Sequence, residues 1–211
     1  MHILVTGFEP FGNDAFNASG EAVRQLPARL GEHEVTTAIL PVSFAASGQV
    51  LASLLAEHQP DALICVGEAG GRAAITPERW AVNEDHARIP DNDGEQPRST
   101  AIRENAPTRV EASINPTAAA QALLAAGLEA SVSEDAGRFV CNHVAYMAYS
   151  QPVPSLFIHV PALRPPGIRA TVGAETDATT CQPHDGELSH LTQALGIAIL
   201  GALDATNPTS A

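Results

Sequence analysis

The feature that most constrains the fold is a regular alternation of strand and helix patterns over the first third of the chain. Between the strands, Ser19 is predicted to cap a helix that runs to about Leu26, and Ser43 one that runs to about His58. The β-α-β-α-β order predicts a parallel sheet with helices on both faces, which is an α/β fold. The apolar runs typical of buried strands are residues 2–6, 34–40 and 62–67.

The remaining segments extend this pattern without a linker that would divide the chain. Residues 75–82 are predicted to form an extended strand or hairpin, and residues 83–107 a polar loop that covers a site or contacts another subunit. We therefore expect one three-layer αβα sandwich around a mainly parallel, twisted central sheet, with residues 1–211 as one domain and 206–211 as a frayed tail. The further predicted elements are a helix from Asn115-Pro116 to a stop at Gly127, strands at 128–133 and 155–161, and a helix from Asp185 to about Asp204.

Charge and cysteine content exclude several functions. The net charge is −13, from 24 acidic and 11 basic residues, so a nucleic-acid-binding surface is not expected. All 11 basic residues are arginine, which excludes chemistry that needs a lysine. Long apolar runs and a signal peptide are absent from the sequence, so we expect no membrane span. The cysteines Cys65, Cys141 and Cys181 match neither a disulfide framework nor a zinc pattern, which fits a reducing cytoplasm, and no metal or cofactor is expected.

A cysteine lies where a short apolar run meets a predicted helix, in Phe139-Val140-Cys141-Asn142. The run before it is predicted to be a strand. Unpaired N–H groups and the helix dipole at a helix start favour thiolate over thiol. Cys141 is therefore a candidate nucleophile. The alternative is a buried cysteine that acts only as a small apolar residue.

A cysteine nucleophile needs a base, and often a third group that orients the base. His159 lies near the end of the predicted strand 155–161, so it is expected at the same sheet edge as Cys141. His143 is two residues after Cys141 and is expected to point away. Glu78 lies in an otherwise apolar segment and is a candidate for the orienting carboxylate, although a surface position beside Arg79 is the alternative.

Six segments together resemble the pyroglutamyl peptidase type I family of cysteine peptidases, in the family's order and over nearly the whole chain. Each segment alone is weakly specific, whereas the ordered set is highly specific. The segments are Leu4-Val5-Thr6-Gly7-Phe8-Glu9-Pro10-Phe11-Gly12, Leu40-Pro41-Val42-Ser43-Phe44, Val66-Gly67-Glu68-Ala69-Gly70-Gly71-Arg72, Ile75-Thr76-Pro77-Glu78-Arg79-Trp80-Ala81-Val82-Asn83, Phe139-Val140-Cys141-Asn142 and Phe157-Ile158-His159-Val160-Pro161.

The resemblance implies a Cys-His-Glu triad that removes N-terminal pyroglutamyl residues through a thioester. In this triad Cys141 is the nucleophile, His159 the general base and then acid, and Glu78 the residue that orients the imidazolium. The resemblance further implies that Arg88 assists the oxyanion. Phe8, Phe11 and Val140 match residues that line an apolar pocket for the pyroglutamyl ring. It also implies small pyroglutamylated peptides as partners and a homo-oligomer, either dimer or tetramer.

The sequence departs from the family pattern in three places, and two other functions stay open. Ala18 replaces a usual proline, residues 150–154 form a shortened loop, and Trp80 is bulkier than the usual aliphatic residue. One alternative is a small-molecule-binding protein on the same fold whose triad is unused. The other is a different small-amide or nucleoside hydrolase on a similar α/β scaffold.

Overall fold

The computed structural model describes residues 1–164, 170–171 and 187–205, which contain strands and helices in an alternating order. The predicted tail at 206–211 lies outside these residues. In chain order the elements are β1 (His2–Phe8), α1 (Ala18–Arg24), β2 (Arg29–Leu30), β3 (His33–Leu40), α2 (Phe44–His58), β4 (Ala62–Ala69), β5 (Thr76–Glu78), β6 (Trp80–Val82), β7 (Arg109–Glu111), α3 (Pro116–Ala125), α4 (Val140–Tyr149), β8 (Ser155–Pro161) and α5 (Leu188–Asp204).

The main sheet of the described chain has six strands in the order β2-β3-β1-β4-β8-β5. The four inner strands β3, β1, β4 and β8 run parallel, and the short edge strands β2 and β5 pair antiparallel to their neighbours. Strands β6 and β7 form a separate antiparallel pair. The mainly parallel α/β sheet predicted from the alternating pattern is confirmed.

Alternation along the inner strands divides the apolar core between the two faces of the sheet. Ile3 and Ile64 pack with residues of α1, α3 and α5, whereas Leu4 and Leu63 pack with residues of α2 and α4. The result is three layers, as predicted. Cys65 lies on the α2 and α4 face, fully buried.

Two predicted strands are absent from the described structure. Residues 128–133 make only isolated bridges to the segment around β5, at Ala130 and Ser133. The residues of this stretch are exposed or half-buried, so little apolar burial favours a full strand there. The run before Cys141 is also not a strand, because the chain between Gly137 and Phe139 is irregular and enters α4 directly.

Helix starts were predicted more accurately for α2 and α3 than for α1 and α5. Ser43 caps α2 and Asn115 caps α3, as predicted, and Gly127 follows the end of α3 with a φ of +78°. Asn17, two residues before the predicted cap Ser19, caps α1, and the Ser19 hydroxyl instead accepts the N–H of Phe8 at 3.2 Å. Helix α5 starts after Glu187, and the predicted cap Asp185 lies outside the described residues. No described helix is both long and apolar enough to cross a membrane.

The polar segment 83–107 is fixed to the body of the same chain. Asp91 accepts the N–H of Phe44 at 2.8 Å, at the start of α2. Asn92 donates to Glu9 Oε1 and to the carbonyl of Pro10, and accepts the N–H of Gly12. This segment therefore supports the loop after β1. The contact of this segment with another subunit stays a prediction.

Candidate active site

The candidate site lies above the ends of β4 and β8, where the sheet leaves room for a side chain from α4. Gly67 of β4 pairs with His159 of β8, which in turn pairs with Thr76 of β5. A Cβ atom on Gly67 would lie 2.8 Å from Cys141 Sγ and 2.7 Å from the Phe157 ring. A glycine here is therefore required for the Cys141 thiol to lie against the sheet.

Helix α4 places Cys141 in its first turn. Phe139 is extended, with φ −89° and ψ −168°, and the helix begins at Val140. The Cys141 N–H consequently has no carbonyl one turn earlier within the helix, and it donates no hydrogen bond among the described residues. The Asn142 side chain binds both the N–H and the C=O of Val82, at 2.9 and 3.0 Å, and so fixes the helix start to β6.

Cys141 and His159 line one cavity of about 320 Å³. The lining of this cavity includes both apolar residues and titratable groups. Its apolar wall is the set of Phe8, Phe11, Val42, Phe139 and Val140, and its polar residues include Asn17, Glu68, Arg72, Cys141 and His159. The ring centroid of Phe139 lies 5.2 Å from that of Phe11 and 5.2 Å from that of Phe44. The apolar residues are therefore part of a packed aromatic cluster.

His159 is bound to a buried carboxylate. Its Nδ1 lies 2.7 Å from Glu78 Oε1, and both side chains are almost completely buried. An ionised carboxylate only accepts hydrogen bonds, so Nδ1 carries the proton and a neutral imidazole keeps its Nε2 lone pair. Burial lowers the pKa of His159 by more than the hydrogen bond and charge of Glu78 raise it. The histidine is therefore neutral at neutral pH.

Glu78 is ionised despite its burial. Burial raises the pKa of Glu78, but the hydrogen bond from His159 and the charge of Arg72 together bring it below the ordinary value. Arg72 Nη1 lies 2.5 Å from Glu78 Oε1, the same oxygen that accepts the His159 Nδ1–H. The carboxylate thus meets two donors at one atom.

The thiol of Cys141 is protonated in this structure, contrary to the thiolate that a helix start predicts. Burial raises the pKa of Cys141 to about 12, and the negative charges of Glu78 and Glu68 act in the same direction against Arg72. No hydrogen bond joins Cys141 to His159 among the described residues. The resting pair is consequently a neutral thiol and a neutral imidazole.

The structure brings most of the predicted site residues to this cavity, but not all of them. Phe8, Phe11 and Val140 lie in its apolar wall. Arg88 is exposed on the 83–107 segment and is outside the described cavity wall, so its assistance to an oxyanion stays a prediction. His143 contacts Asp85 at 2.8 Å, and neither residue lines the cavity.

Several polar residues of the cavity had no role in the sequence prediction, among them Arg72, Glu68 and Asn17. Arg72 and Glu68 stand in one of the family-like segments, and this position was the only signal for them. Asn17 was read as part of the loop before a helix. Its Oδ1 caps α1 by accepting the Ser19 N–H at 3.0 Å, which leaves the Nδ2 group as its donor.

An α/β sheet that holds a cysteine at a helix start and a carboxylate-bound histidine on one cavity defines the class of cysteine-type hydrolases. Comparison with known proteins gives the family. The chain belongs to the pyroglutamyl peptidase family, whose model matches residues 1–199.

Individual relatives agree with this assignment. A pyrrolidone-carboxylate peptidase of Streptococcus pyogenes is 44% identical over 167 residues, which are 76% of this chain and 78% of the relative. The crystal structure of pyroglutamyl peptidase I from Bacillus amyloliquefaciens has a TM-score of 0.84 at 36% identity and covers 95% of this chain and 96% of its own. A mutant pyrrolidone carboxyl peptidase from Pyrococcus furiosus has a TM-score of 0.85 at 32% identity, over 98% of this chain and 100% of its own.

Proposed function

We propose that this protein removes N-terminal pyroglutamyl residues from small peptides through a thioester on Cys141, with His159 as base and acid and Glu78 as its orienting carboxylate. The observation that carries the proposal is the shared cavity of Cys141 and His159, with His159 Nδ1 2.7 Å from Glu78 Oε1. Family membership supports the reaction class.

The proposed acylation step begins from a neutral pair. As substrate binds, His159 Nε2 takes the proton of Cys141 Sγ, and the sulfur attacks the pyroglutamyl carbonyl carbon. The carbonyl oxygen becomes an oxyanion, for which the Cys141 N–H at the start of α4 is a donor. The imidazolium, held by Glu78, then protonates the departing amine as the C–N bond breaks.

In deacylation His159 again acts first as a base and then as an acid. His159 takes a proton from water, whose oxygen attacks the thioester carbonyl. Collapse of the second tetrahedral intermediate breaks the C–S bond, and the proton returns to sulfur. Free pyroglutamate leaves, and the neutral thiol and imidazole are restored.

The cavity suits a pyroglutamyl ring because this ring is compact and neutral. The lactam has no α-amine, so an apolar wall such as that of Phe8, Phe11 and Val140 removes it from water without stranding a charge. The Asn17 amide, on the same cavity, is a donor suited to a lactam oxygen. Arg88 is kept in the proposal as a further donor to the oxyanion.

Release of a chromogenic amine from a pyroglutamyl amide tests this function. We expect turnover by the unmodified protein and a loss of at least about 10⁴-fold in kcat for Cys141→Ser. Cys65→Ser is the matched control, because Cys65 is buried under the same helix layer and does not line the cavity. Undiminished turnover by Cys141→Ser would exclude the thioester mechanism, and binding of the amide without turnover would favour a binding protein.

A dimer or tetramer and a cytoplasmic location are expectations from the resemblance. Light scattering on the purified protein measures the oligomeric state. A monomer at working concentration would contradict the predicted assembly without affecting the proposed chemistry.

A further inference from the structure

Arg72 connects three segments around the candidate site. It closes the turn after β4, where its N–H donates to the carbonyl of Ala69 at 3.0 Å. Its Nη1 donates to Glu78 Oε1 at 2.5 Å and to Thr76, both in β5. Its Nη2 donates to the carbonyl of Asp135 at 2.9 Å, in the irregular chain that leads into α4. One guanidinium therefore joins the turn after β4, strand β5 and the approach to Cys141.

The Glu78 carboxylate needs such a partner because its side chain is fully buried. A buried carboxylate is strongly disfavoured unless a cation and hydrogen bonds compensate it. The bonded histidine is neutral in the resting site, so it contributes a hydrogen bond but no charge. Arg72 is the cation that contacts Glu78, and 25% of its side chain remains exposed at the cavity.

The geometry also fixes which way the carboxylate points. The Arg72 and His159 donors converge on Oε1 of Glu78. A guanidinium holds two acceptors in a planar fork, which an ammonium cannot reproduce. Here the two acceptors are Glu78 Oε1 and the Asp135 carbonyl, so the fork sets the carboxylate relative to the chain that carries the thiol.

We propose that Arg72 is a positioning residue of the reaction, which holds Glu78 ionised and aimed at His159 Nδ1 so that Nε2 stays free to take the thiol proton. This inference rests on the proposed function of His159 as the base. Arg72 acts through Glu78 and touches neither the scissile bond nor the sulfur.

The charged and titratable groups that face His159 set the direction of the expected pH effect. They are Glu78 from β5, Arg72 from the turn after β4, and the Cys141 thiol, which lines the same cavity. Arg72 lowers the pKa of His159 and opposes the raising effect of Glu78. Arg72 also lowers the pKa of Glu78, so removal of its charge moves the uptake of a proton by the Glu78–His159 pair to higher pH, whichever of the two groups receives it.

The test compares Arg72→Met, which removes the charge, with Arg72→Lys, which keeps the charge but not the fork. Arg79→Met is the matched control, because Arg79 pairs at the surface with Glu134 at 2.9 Å and does not line the cavity. We expect Arg72→Met to lower kcat/KM for a pyroglutamyl amide at neutral pH by about 10²-fold and to shift the acid limb of its pH profile upward. We expect Arg72→Lys to lower kcat/KM with little shift of the acid limb of the pH profile. We expect Arg79→Met to leave both kcat/KM and the acid limb unchanged.

A second readout is independent of turnover. The titration of the His159 ring nitrogens, followed by NMR in a Cys141→Ser background, is expected to move to higher pH when Arg72→Met is added. If the protein shows this shift but does not hydrolyse the amide, the inference about Arg72 is supported and the proposed function is contradicted. Wild-type rates in both Arg72 variants together with an unchanged His159 titration would overturn the inference. If Arg72→Met does not fold, a wild-type rate for folded Arg72→Lys overturns it as well.

Discussion

Two glutamates with buried side chains lie at the candidate site, and their surroundings shift their pKa values in opposite directions. Glu68 lines the cavity, whereas Glu78 contacts the cavity residues Arg72 and His159. Glu78 shares one oxygen between Arg72 and His159, and its pKa lies below the ordinary value despite burial. Glu68, at the end of β4, contacts Arg164 at 2.8 and 3.1 Å and accepts the Ala18 N–H at 2.6 Å. Burial nevertheless raises the pKa of Glu68 above the ordinary value.

The difference between the two glutamates separates a chemical role from an architectural one. Arg164 is shared between Glu68 and Asp14, so its single charge compensates two carboxylates, and the nearby Asp14 adds to the raised pKa of Glu68. This cluster joins β4 to the start of α1 and to the chain after β8. Glu78 contacts a histidine in place of a second carboxylate, so its negative charge faces the residue that we propose as the base.

The largest contrast is expected in rate. Glu78→Gln should lower kcat/KM for a pyroglutamyl amide by about 10³-fold or more, because the neutral amide neither fixes the Nδ1–H tautomer nor stabilises the imidazolium. Glu68→Gln should stay within about tenfold of the unmodified enzyme, because Glu68 contacts neither His159 nor the thiol. Equal losses in steady-state kinetics would show that the two carboxylates are not functionally distinct.

The next contrast concerns the pH dependence of kcat/KM, whose acid limb reports protonation of the base in the free enzyme. Since burial lowers the pKa of His159, we expect a midpoint below 6.5 for the unmodified enzyme. Glu78 raises the pKa of His159, so Glu78→Gln should move the midpoint further down, whereas Glu68→Gln should leave it in place. An upward shift in Glu78→Gln would contradict the assignment of His159 as the base.

A smaller contrast is expected in the pH dependence of stability, measured by urea unfolding between neutral and mildly acidic pH. Glu78 has a lowered folded pKa, so its contribution is present above its unfolded pKa and is lost as pH falls through the folded pKa. Glu68 has a raised folded pKa, so its contribution is present below its unfolded pKa and is lost as pH rises through the folded pKa. With acidification the deficit of Glu78→Gln relative to the unmodified protein should shrink, and that of Glu68→Gln should grow. Slopes of the same sign would remove the proposed distinction.

The smallest contrast is expected in substrate binding. Phe11→Ala should raise KM by about 10- to 100-fold with a smaller effect on kcat, because contact with a phenylalanine ring contributes about 1.5–3 kcal/mol. Phe16→Ala is the matched control on the Glu68 side, where the ring lies 4.8 Å under the Arg164 guanidinium and outside the cavity wall. Initial rates over a range of substrate concentrations measure both. A normal KM for Phe11→Ala would remove this ring from the proposed pocket.

The sequence was sufficient to predict the four inner strands of the sheet, β3, β1, β4 and β8, because these strands are apolar runs. Strand β8 covers the predicted residues 155–161, and the position of His159 near its end followed from the pattern alone. The position of Glu78 was harder to predict, because the sequence pattern is equally consistent with a buried carboxylate and with one on the surface. Its burial depends on the pairing of β5 with β8 and on Arg72, which are tertiary contacts.

Other features depended on contacts that a local pattern does not contain. The thiol at a helix start predicts a lowered pKa for Cys141, but desolvation of the thiol at the cavity dominates and raises this pKa to about 12. Trp80, whose neighbours were unknown from sequence, lies 4.1 Å under the guanidinium of Arg109. The predicted cap Ser19 instead lies within α1, where its hydroxyl accepts the Phe8 N–H, and the Asn17 side chain caps the helix.

The most direct test of the proposed mechanism is to trap the acyl-enzyme. The protein is mixed with a pyroglutamyl chromogenic amide, quenched with acid within the first turnover, and analysed by peptide mass spectrometry. We predict one pyroglutamyl group attached to the peptide that contains Cys141, with Glu78→Gln accumulating it more slowly and Glu68→Gln at the rate of the unmodified enzyme. Amine release without any acyl group on Cys141, or with the group on another residue, would contradict the mechanism.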